Sequence, residues 1–289
     1  MELHDYTEES LGKEKLIRKV LFLSVFILIL EIIFGVISNS LALLTDALHV
    51  FTDIFSALIA LLAVRISRKG CDDRFTLGYH RFEVMASFAN GLLLMAAVGI
   101  IFFEAFRRIM EGAVIDAYYL LPAAVIGLIG NLYVVKLLHA EHKHDINVKG
   151  VYLHAFSDTL ASVAVILGGV IIILTGQTLV DSLISMFIGI FIGYNAIKLI
   201  RESSILLLHG VPPDVDVNEV RDFLLSFPEI ENVHSVNAYA LCSNVRAIDA
   251  HIVVGDMKLS EVNEIRQKLV KELKNRFKLT ATSLQFEHK

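Results

Sequence analysis

The sequence predicts a bundle of six membrane-spanning helices followed by a small α+β domain outside the membrane. Hydrophobic residues make up 55% of the 289 residues, above the ~45–50% of typical soluble proteins, and the mean hydropathy is +0.63. The share of charged residues rises towards the C-terminus: 22 of the 81 residues from position 209 onward are charged, against 35 of the preceding 208. We therefore expect a membrane domain over 1–208 and a soluble domain over 209–289.

Six apolar runs are each long enough to cross a hydrocarbon core of ~30 Å as a helix. They cover 20–37, 41–64, 84–103, 117–135, 151–174 and 178–197. Pro122 lies inside the fourth run, where neighbouring helices can satisfy the backbone group that it frees. A set of helices buried in a large soluble protein is the alternative, but six such runs in succession argue against it.

The distribution of basic residues predicts the orientation in the membrane. Twelve Lys and Arg residues fall on the side of the N-terminus, whereas the opposite loops hold only Arg107 and Arg108. The twelve are Lys13, Lys15, Arg18, Lys19, Arg65, Arg68, Lys69, Arg74, Arg81, Lys136, Lys143 and Lys149. Since cytoplasmic loops carry the excess of Lys and Arg, both termini are expected in the cytoplasm.

The C-terminal segment has the pattern of a two-layer α+β domain. Helical spacing covers 217–227 and 259–277, strand-like runs cover 233–240 and 245–254, and 283–286 reads as a last short strand. The resulting order is αββαβ.

Composition also excludes several classes of protein. A net charge of −5 disfavours a nucleic-acid partner, because such proteins carry clustered Lys and Arg. Cys71 and Cys242 form neither a disulfide framework nor a CxxC metal site. The polar, acidic start of the chain lacks the basic region of a cleavable signal peptide. The sequence contains no GxxxxGK[ST] loop, so an ATP-driven pump is not indicated. No organic cofactor is expected.

Two His–Asp pairs lie inside predicted spans. In span two, Asp46, His49 and Asp53 share one helix face, because they are three and seven residues apart. In span five, His154 and Asp158 repeat the HxxxD spacing of His49 and Asp53. An intramembrane charge costs about 2.5–3.5 kcal/mol on insertion scales, and such residues usually mark transport paths.

The two pairs together offer two imidazoles and two carboxylates, which suit tetrahedral Zn²⁺. At 1.5 Å per residue, His49 and Asp53 lie about 12 and 18 Å from the outer face, and His154 and Asp158 about 20 and 14 Å. Both pairs are therefore expected near mid-depth. The alternatives are that these side chains only hydrogen-bond between helices, or that they form a hydrolase site. The protease motif HExxH is absent, and no second carboxylate is placed as a general base.

Other polar residues in the spans have less specific roles. Asp46 and Asn131 are candidates for supporting the metal ligands or for a proton path. For Glu31, Asn39, Asn90 and Asp181 we favour hydrogen bonding between helices.

Four stretches resemble the cation diffusion facilitator family of zinc transporters, in particular the cobalt–zinc–cadmium resistance type. They are SLALLTDALHVFTD (40–53), LGYHRFE (77–83), NVKGVYLHAFSD (147–158) and LLHGVPPDVD (207–216). The resemblance implies a homodimer with a metallochaperone-like cytoplasmic domain on each protomer. It implies export of Zn²⁺ from the cytoplasm in exchange for H⁺, through a site at His49, Asp53, His154 and Asp158. It also implies a transporter and not an enzyme. The short loops and lean termini favour a prokaryotic inner membrane.

The chain departs from the family pattern at two places outside the cytoplasmic metal site. In the loop after span two Asp72 and Asp73 remain, but Phe75 and Tyr79 stand where two metal-binding His would be expected, so a second metal site there is not expected. Arg81 is present, but His209 replaces the acid that would pair with it.

The cytoplasmic domain keeps part of the family's regulatory metal site. His234, His251 and Glu287 fall on ligand positions, whereas Ala281 and Gln285 replace two neighbouring ones. Two interpretations have equal support from the sequence. The three residues bind zinc, or the two histidines are half-buried strand residues with ordinary hydrogen bonds.

Zinc/proton exchange is the leading prediction from the sequence. Efflux of Cd²⁺, Co²⁺, Ni²⁺, Fe²⁺ or Mn²⁺ is the runner-up, because ligand type alone does not separate these ions from zinc. A membrane metal sensor or scaffold is the alternative from another class.

Overall fold

The computed structural model describes the backbone of residues 2–67, 72–138, 146–212, 214–242 and 245–288. The side chains of residues 2–18, 57, 60, 61, 63, 64, 67, 138 and 146–154 lie outside this description. Its elements are α1 Glu2–Ser38, α2 Leu41–Ser67, α3 Arg81–Glu111, α4 Ala117–Leu138, α5 Ile146–Thr175, α6 Leu179–Leu207, α7 Val217–Leu225, β1 Ile230–Ala240, β2 Arg246–Val254, α8 Leu259–Phe277 and β3 Ala281–His288.

Six long helices followed by αββαβ are the architecture that the sequence predicts, so the fold class is confirmed: a transmembrane bundle with a small α+β domain. Among the described residues, five helical segments are long and apolar enough to span a membrane. They are Lys19–Ser38, Arg81–Glu111, Ala117–Leu137, Ala155–Thr175 and Leu179–Leu207. The remaining predicted span lies on α2, which is helical over 27 residues but includes side chains outside the description.

The chain forms two compact units, one of residues 1–58 and 92–197, the other of residues 59–91 and 198–289. The core of the first unit consists of small and branched apolar side chains on the helices. Leu43, Leu120 and Val165 are among its most buried members, each about 1% exposed. Large apolar side chains such as Phe22 and Phe187 are exposed instead. An apolar outer surface of this kind is the pattern expected of helices in contact with lipid.

In the second unit, a three-stranded sheet packs against α7 and α8. Strand β1 pairs antiparallel with β2, and β2 pairs parallel with β3. The parallel pair requires a crossover, which α8 provides. Val220, Leu224, Ile248, Leu269 and Leu273 are fully buried between the two layers.

The cytoplasmic helices begin at identifiable caps. Asp216 accepts a hydrogen bond from the backbone N–H of Asn218 at 2.8 Å and starts α7. Glu261 accepts one from the backbone N–H of Lys258 at 2.9 Å and starts α8.

Candidate functional site

The first turn of α2 is held by an acid from another helix. The Asp181 carboxylate on α6 accepts hydrogen bonds from the backbone N–H of Leu41 at 2.7 Å and of Ala42 at 3.3 Å, and from the Ser40 hydroxyl. Asp181 is 1% exposed. The carboxylate therefore lies against the N–H groups at the N-terminus of α2, where the helix dipole stabilises a negative charge. This confirms the predicted interhelical role of Asp181 and fixes the start of α2 eight residues before His49.

Asn39 also joins helices. Its side chain donates to the carbonyl of Val114 at 2.9 Å, and Arg108 donates to both its carbonyl and its side-chain oxygen. The predicted interhelical hydrogen bonding of Asn39 is therefore confirmed as well.

Inside the bundle His49 contacts two acids through different ring nitrogens, Asp53 through Nδ1 and Asp158 through Nε2. His49 Nε2 lies 3.5 Å from Asp158 Oδ1, and His49 Nδ1 lies 3.6 Å from Asp53 Oδ2. The side chains of His49 and Asp158 are 9% and 12% exposed, and that of Asp53 is 36% exposed. Two ligands bound at about 2.1 Å to one tetrahedral Zn²⁺ lie about 3.4 Å apart. The Nε2–Oδ1 separation therefore matches two ligands of a single ion.

His154 lies on α5 one turn before Asp158, at a rise of about 6 Å along the helix axis. Its side chain lies outside the described residues. Its participation in the site stays a prediction from the sequence.

A chain of hydrogen bonds runs from α4 through α5 to Asp46 on α2. The Asn131 amide donates to Ser162 Oγ at 3.2 Å, and Ser162 Oγ donates to Asp46 Oδ2 at 3.5 Å. All three side chains are buried, with Asp46 2% exposed. Asp46 and Asn131 thus belong to one polar network behind His49.

Glu31, for which the sequence predicts hydrogen bonding between helices, also belongs to this polar region. It lies on α1, is 1% exposed, and its charge interacts with those of Asp46 and Asp158. Its Oε2 has no hydrogen-bond partner among the described side chains. The predicted interhelical hydrogen bond is therefore not observed for this oxygen. The signal in the sequence was an acid in the most apolar span, which has a mean hydropathy of 3.0.

A cavity of about 260 Å³ opens beside His49. It is lined by His49, Ser157, Leu160, Ala161, Ala164, Phe187, Ile188 and Phe191. These residues come from α2, α5 and α6, and the lining other than His49 and Ser157 is apolar.

A second group of potential metal ligands lies on the sheet of the soluble domain. His251 Nδ1 is 2.7 Å from Glu287 Oε1, and His234 Nε2 is 3.0 Å from Glu287 Oε2. His234 pairs directly with His251 across β1 and β2, next to an irregularity in β1 at which Ser235 has a φ of 51°. One ligand atom from each of the three residues lies within 4.8 Å of the others. The three side chains can therefore face one ion.

The charge of Glu287 is stabilised by these histidines. Burial alone would raise the pKa of the carboxyl, but the hydrogen bonds from His251 and His234 and their charges outweigh burial, so the pKa is lowered. Gln285, which replaces a family ligand, donates to Glu287 Oε1 at 2.9 Å. The glutamine therefore supports the carboxylate from the position of the missing ligand.

Comparison with known proteins identifies the family. Residues 18–208 match the model of the cation efflux transmembrane domain, and residues 212–289 match that of the cation efflux protein cytoplasmic domain. The chain belongs to the cation diffusion facilitator family. Because this is a family of transporters, the protein acts in transport rather than in catalysis, and it is an integral membrane protein.

Several curated relatives cover most of this cation diffusion facilitator. The metal cation efflux system protein CzcD of Cupriavidus metallidurans is 37% identical over 276 residues, covering 96% of this chain and 87% of the relative. The cadmium, cobalt and zinc/H(+)-K(+) antiporter of Bacillus subtilis is 32% identical, covering 93% and 89%. The zinc transporter ZitB of Escherichia coli is 33% identical, covering 82% and 77%.

A solved structure of the metal-bound C-terminal domain of the CzcD transporter aligns with 25% of this chain and 99% of that domain, at 29% identity. The TM-score is 0.23, which is too low to support a structural comparison.

The structure gives local reasons for two departures from the family pattern. Asp72 accepts hydrogen bonds from the backbone N–H of Arg74 and Phe75 and from the Tyr79 hydroxyl, at 2.9, 2.7 and 2.5 Å. The bond to Asp72 raises the pKa of Tyr79. Asp72 thus organises its own turn together with the tyrosine that replaces a histidine.

Arg81 contacts His209, the residue that stands in place of the usual acid. The His209 ring meets Tyr239 edge-on, with centroids 5.3 Å apart. A guanidinium–imidazole contact therefore stands in place of the salt bridge that Arg81 would form with an acid. Cys71 lies outside the described residues.

Proposed function

We propose that this protein exports Zn²⁺ from the cytoplasm in exchange for protons, by alternating access around His49, Asp53, His154 and Asp158. The observation that carries the proposal is the buried pair of His49 and Asp158, whose Nε2 and Oδ1 atoms are 3.5 Å apart on two different helices. A ligand pair shared between helices can be opened to either side when the helices move. We assign the cavity beside His49 to the route by which the metal reaches this pair.

Proton exchange follows from the chemistry of the ligands. A histidine must be neutral and a carboxylate ionised to bind metal, so metal binding releases protons and protons displace metal. Asp46 and Asn131 lie in one hydrogen-bonded chain behind His49. We assign them to support of the ligands and to the path of the protons.

Zinc is the preferred cargo in this proposal because imidazole together with carboxylate suits Zn²⁺, whereas Mg²⁺ and Ca²⁺ take oxygen ligands. ZitB is named a zinc transporter. Efflux of other divalent metals is the second candidate, favoured by the B. subtilis relative, which is named for cadmium, cobalt and zinc. A metal sensor is the less favoured reading, since the matched family consists of transporters.

The rest of the molecule is assigned accordingly. We place both termini in the cytoplasm of a bacterium, and we place the boundary between the membrane domain and the cytoplasmic domain at residue 209. We also assign a homodimer and a regulatory metal site at His234, His251 and Glu287. The separation of their ligand atoms supports this second site.

The deciding experiment is Zn²⁺ uptake into proteoliposomes under a pH gradient, with wild type beside Asp158→Ala. Asp116→Asn serves as the control, because Asp116 is exposed and caps α4 away from the site. Flux that follows the gradient, persists in the control and is lost in the Asp158 variant supports the proposal. Tight Zn²⁺ binding without any flux in the wild type would contradict it and favour a sensor. The same assay with Cd²⁺, Co²⁺ and Mn²⁺ compares the candidate cargoes.

A further inference from the structure

Glu31 occupies a position where an apolar side chain is expected. It lies on the buried face of α1 together with Ile27 and Leu28 and is less exposed than either of them. By helix rise it lies about 10 Å from the outer end of α1 at Ser38 and about 18 Å from Lys19. The carboxyl is thus deep in the bundle, at a depth comparable to that of the proposed metal ligands.

The neighbouring helix leaves room for this carboxyl. At Gly127 on α4, a Cβ atom would come within 2.9 Å of Glu31 Oε1. Any larger residue at position 127 would therefore press on the glutamate.

Among the described residues, Asp46 on α2 and Asp158 on α5 act electrostatically on Glu31, and both are acids. Glu31 Oε2 and Asp46 Oδ1 have no hydrogen-bond partner among the described side chains. No Lys or Arg is buried in the part of the bundle that the structure describes. Among the described side chains, no buried Lys or Arg neutralises an ionised carboxylate here, and burial of such a charge is strongly unfavourable. A proton on Glu31 removes the difficulty.

We infer that Glu31 is a proton-binding site of the transport cycle, separate from the metal ligands, and that it exchanges its proton against the arrival of the metal. This inference rests on the proposed antiport. In the metal-free protein the negative charge of Asp158 favours the neutral Glu31 carboxyl. When the divalent cation binds Asp158, its positive charge favours the Glu31 carboxylate, and the proton leaves to the cytoplasmic side. After the metal leaves outward, the carboxylate takes up a proton from outside. One O–H bond is broken and one is re-formed in each cycle.

The test measures the protons released per Zn²⁺ bound. Zn²⁺ is titrated calorimetrically into the purified full-length protein in buffers of different ionisation heat, across pH 6 to 8. Glu31→Gln keeps the size of the side chain but cannot ionise. We expect this variant to bind Zn²⁺ and to release about one proton fewer than the wild type. The slope of the logarithm of the Zn²⁺ binding constant against pH counts the released protons. In Glu31→Gln the binding constant should therefore rise less steeply with pH, by a factor of up to about ten per pH unit.

Three controls make the result specific. Glu202→Gln removes an exposed acid of α6 and is expected to leave the proton count unchanged. Glu31→Asp retains an ionisable carboxyl and is expected to retain the proton. The cytoplasmic cluster is the same in every variant, so its own proton release cancels in the difference.

An unchanged proton count in Glu31→Gln overturns the inference while leaving the antiport proposal intact. Absence of Zn²⁺ binding and transport in the wild type defeats the antiport proposal itself. If Glu31→Gln does not fold, Gly127→Ala provides the test of the inference, because the added methyl group crowds the Glu31 carboxyl without removing it. The inference requires this variant to shift the pH midpoint of Zn²⁺ flux, and an unchanged midpoint with normal flux contradicts it.

Discussion

Replacement of Asp181 by asparagine tests whether a cap supplied by α6 holds α2, and with it His49, in place. The carboxylate accepts from two backbone N–H groups at the start of α2 and from the Ser40 hydroxyl. Asparagine offers one acceptor oxygen instead of two and adds a competing N–H₂ group. A hydrogen bond to a charged group contributes about 1.5–3 kcal/mol, and a buried donor left without a partner costs about 1–3 kcal/mol. We therefore expect Asp181→Asn to destabilise the first turn of α2 by about 2 kcal/mol.

Hydrogen exchange of the amides of residues 41–45 measures this effect. About 2 kcal/mol corresponds to about 30-fold faster exchange, since 1.4 kcal/mol is tenfold. Asp116→Asn is the matched control: Asp116 accepts from the backbone N–H of Tyr118 at 3.0 Å in an exposed cap, and asparagine caps a helix as well as aspartate does. If the amides of 41–45 exchange at the wild-type rate in Asp181→Asn, the cap does not hold α2 and the reasoning is wrong.

Three further predictions concern packing and charge. Gly169→Ala would bring a Cβ to 2.6 Å from a side-chain carbon on α4. It should destabilise the bundle by about 1–3 kcal/mol and lower the melting temperature of the purified protein. In the control Gly99→Ala, the new Cβ meets nothing within 4 Å, and the melting temperature should not fall. Leu273→Ala empties a fully buried position and should cost the cytoplasmic domain about 2–5 kcal/mol, seen as faster amide exchange in β1 and β2. The hydrogen bond from Arg246 lowers the pKa of Asp214, so its stabilisation is present above the ordinary carboxyl value of 3.8 and is lost as pH falls through the lowered value. Asp214→Asn should therefore cost about 0.2–1 kcal/mol at pH 7, and the difference between melting curves should vanish in acid.

The sequence was sufficient for the elements of the fold because each has a strong local signal. Helix α8 covers the predicted range, and β1 and β2 begin within three residues of the predicted starts. Strand β3 extends beyond the predicted 283–286 to Ala281–His288. Its alternation is weak, and pairing with β2 determines its length. Such pairing across a crossover is not visible in the local pattern.

For the candidate site, spacing within one helix was informative and contacts between helices were not. The HxxxD spacing on α2 and α5 predicts which residues share a face, and His49 and Asp158 are neighbours in the structure. Glu31 and Asp181 looked alike in the sequence, as single acids in apolar spans. Only the three-dimensional arrangement separates them, because their partners lie on other helices and at distant positions along the chain.

That separation distinguishes a structural buried acid from a functional one. Asp181 is surrounded by donors at the start of α2, so its charge is compensated within the protein. Glu31, Asp46 and Asp158 act on one another as like charges, and no Lys or Arg is buried among the described side chains of the bundle. In the proposed antiport, the charge of these three acids is balanced in turn by the metal ion and by protons. The bundle would then use its own backbone N–H groups to hold Asp181 and would reserve the other three acids for the exchange of cations.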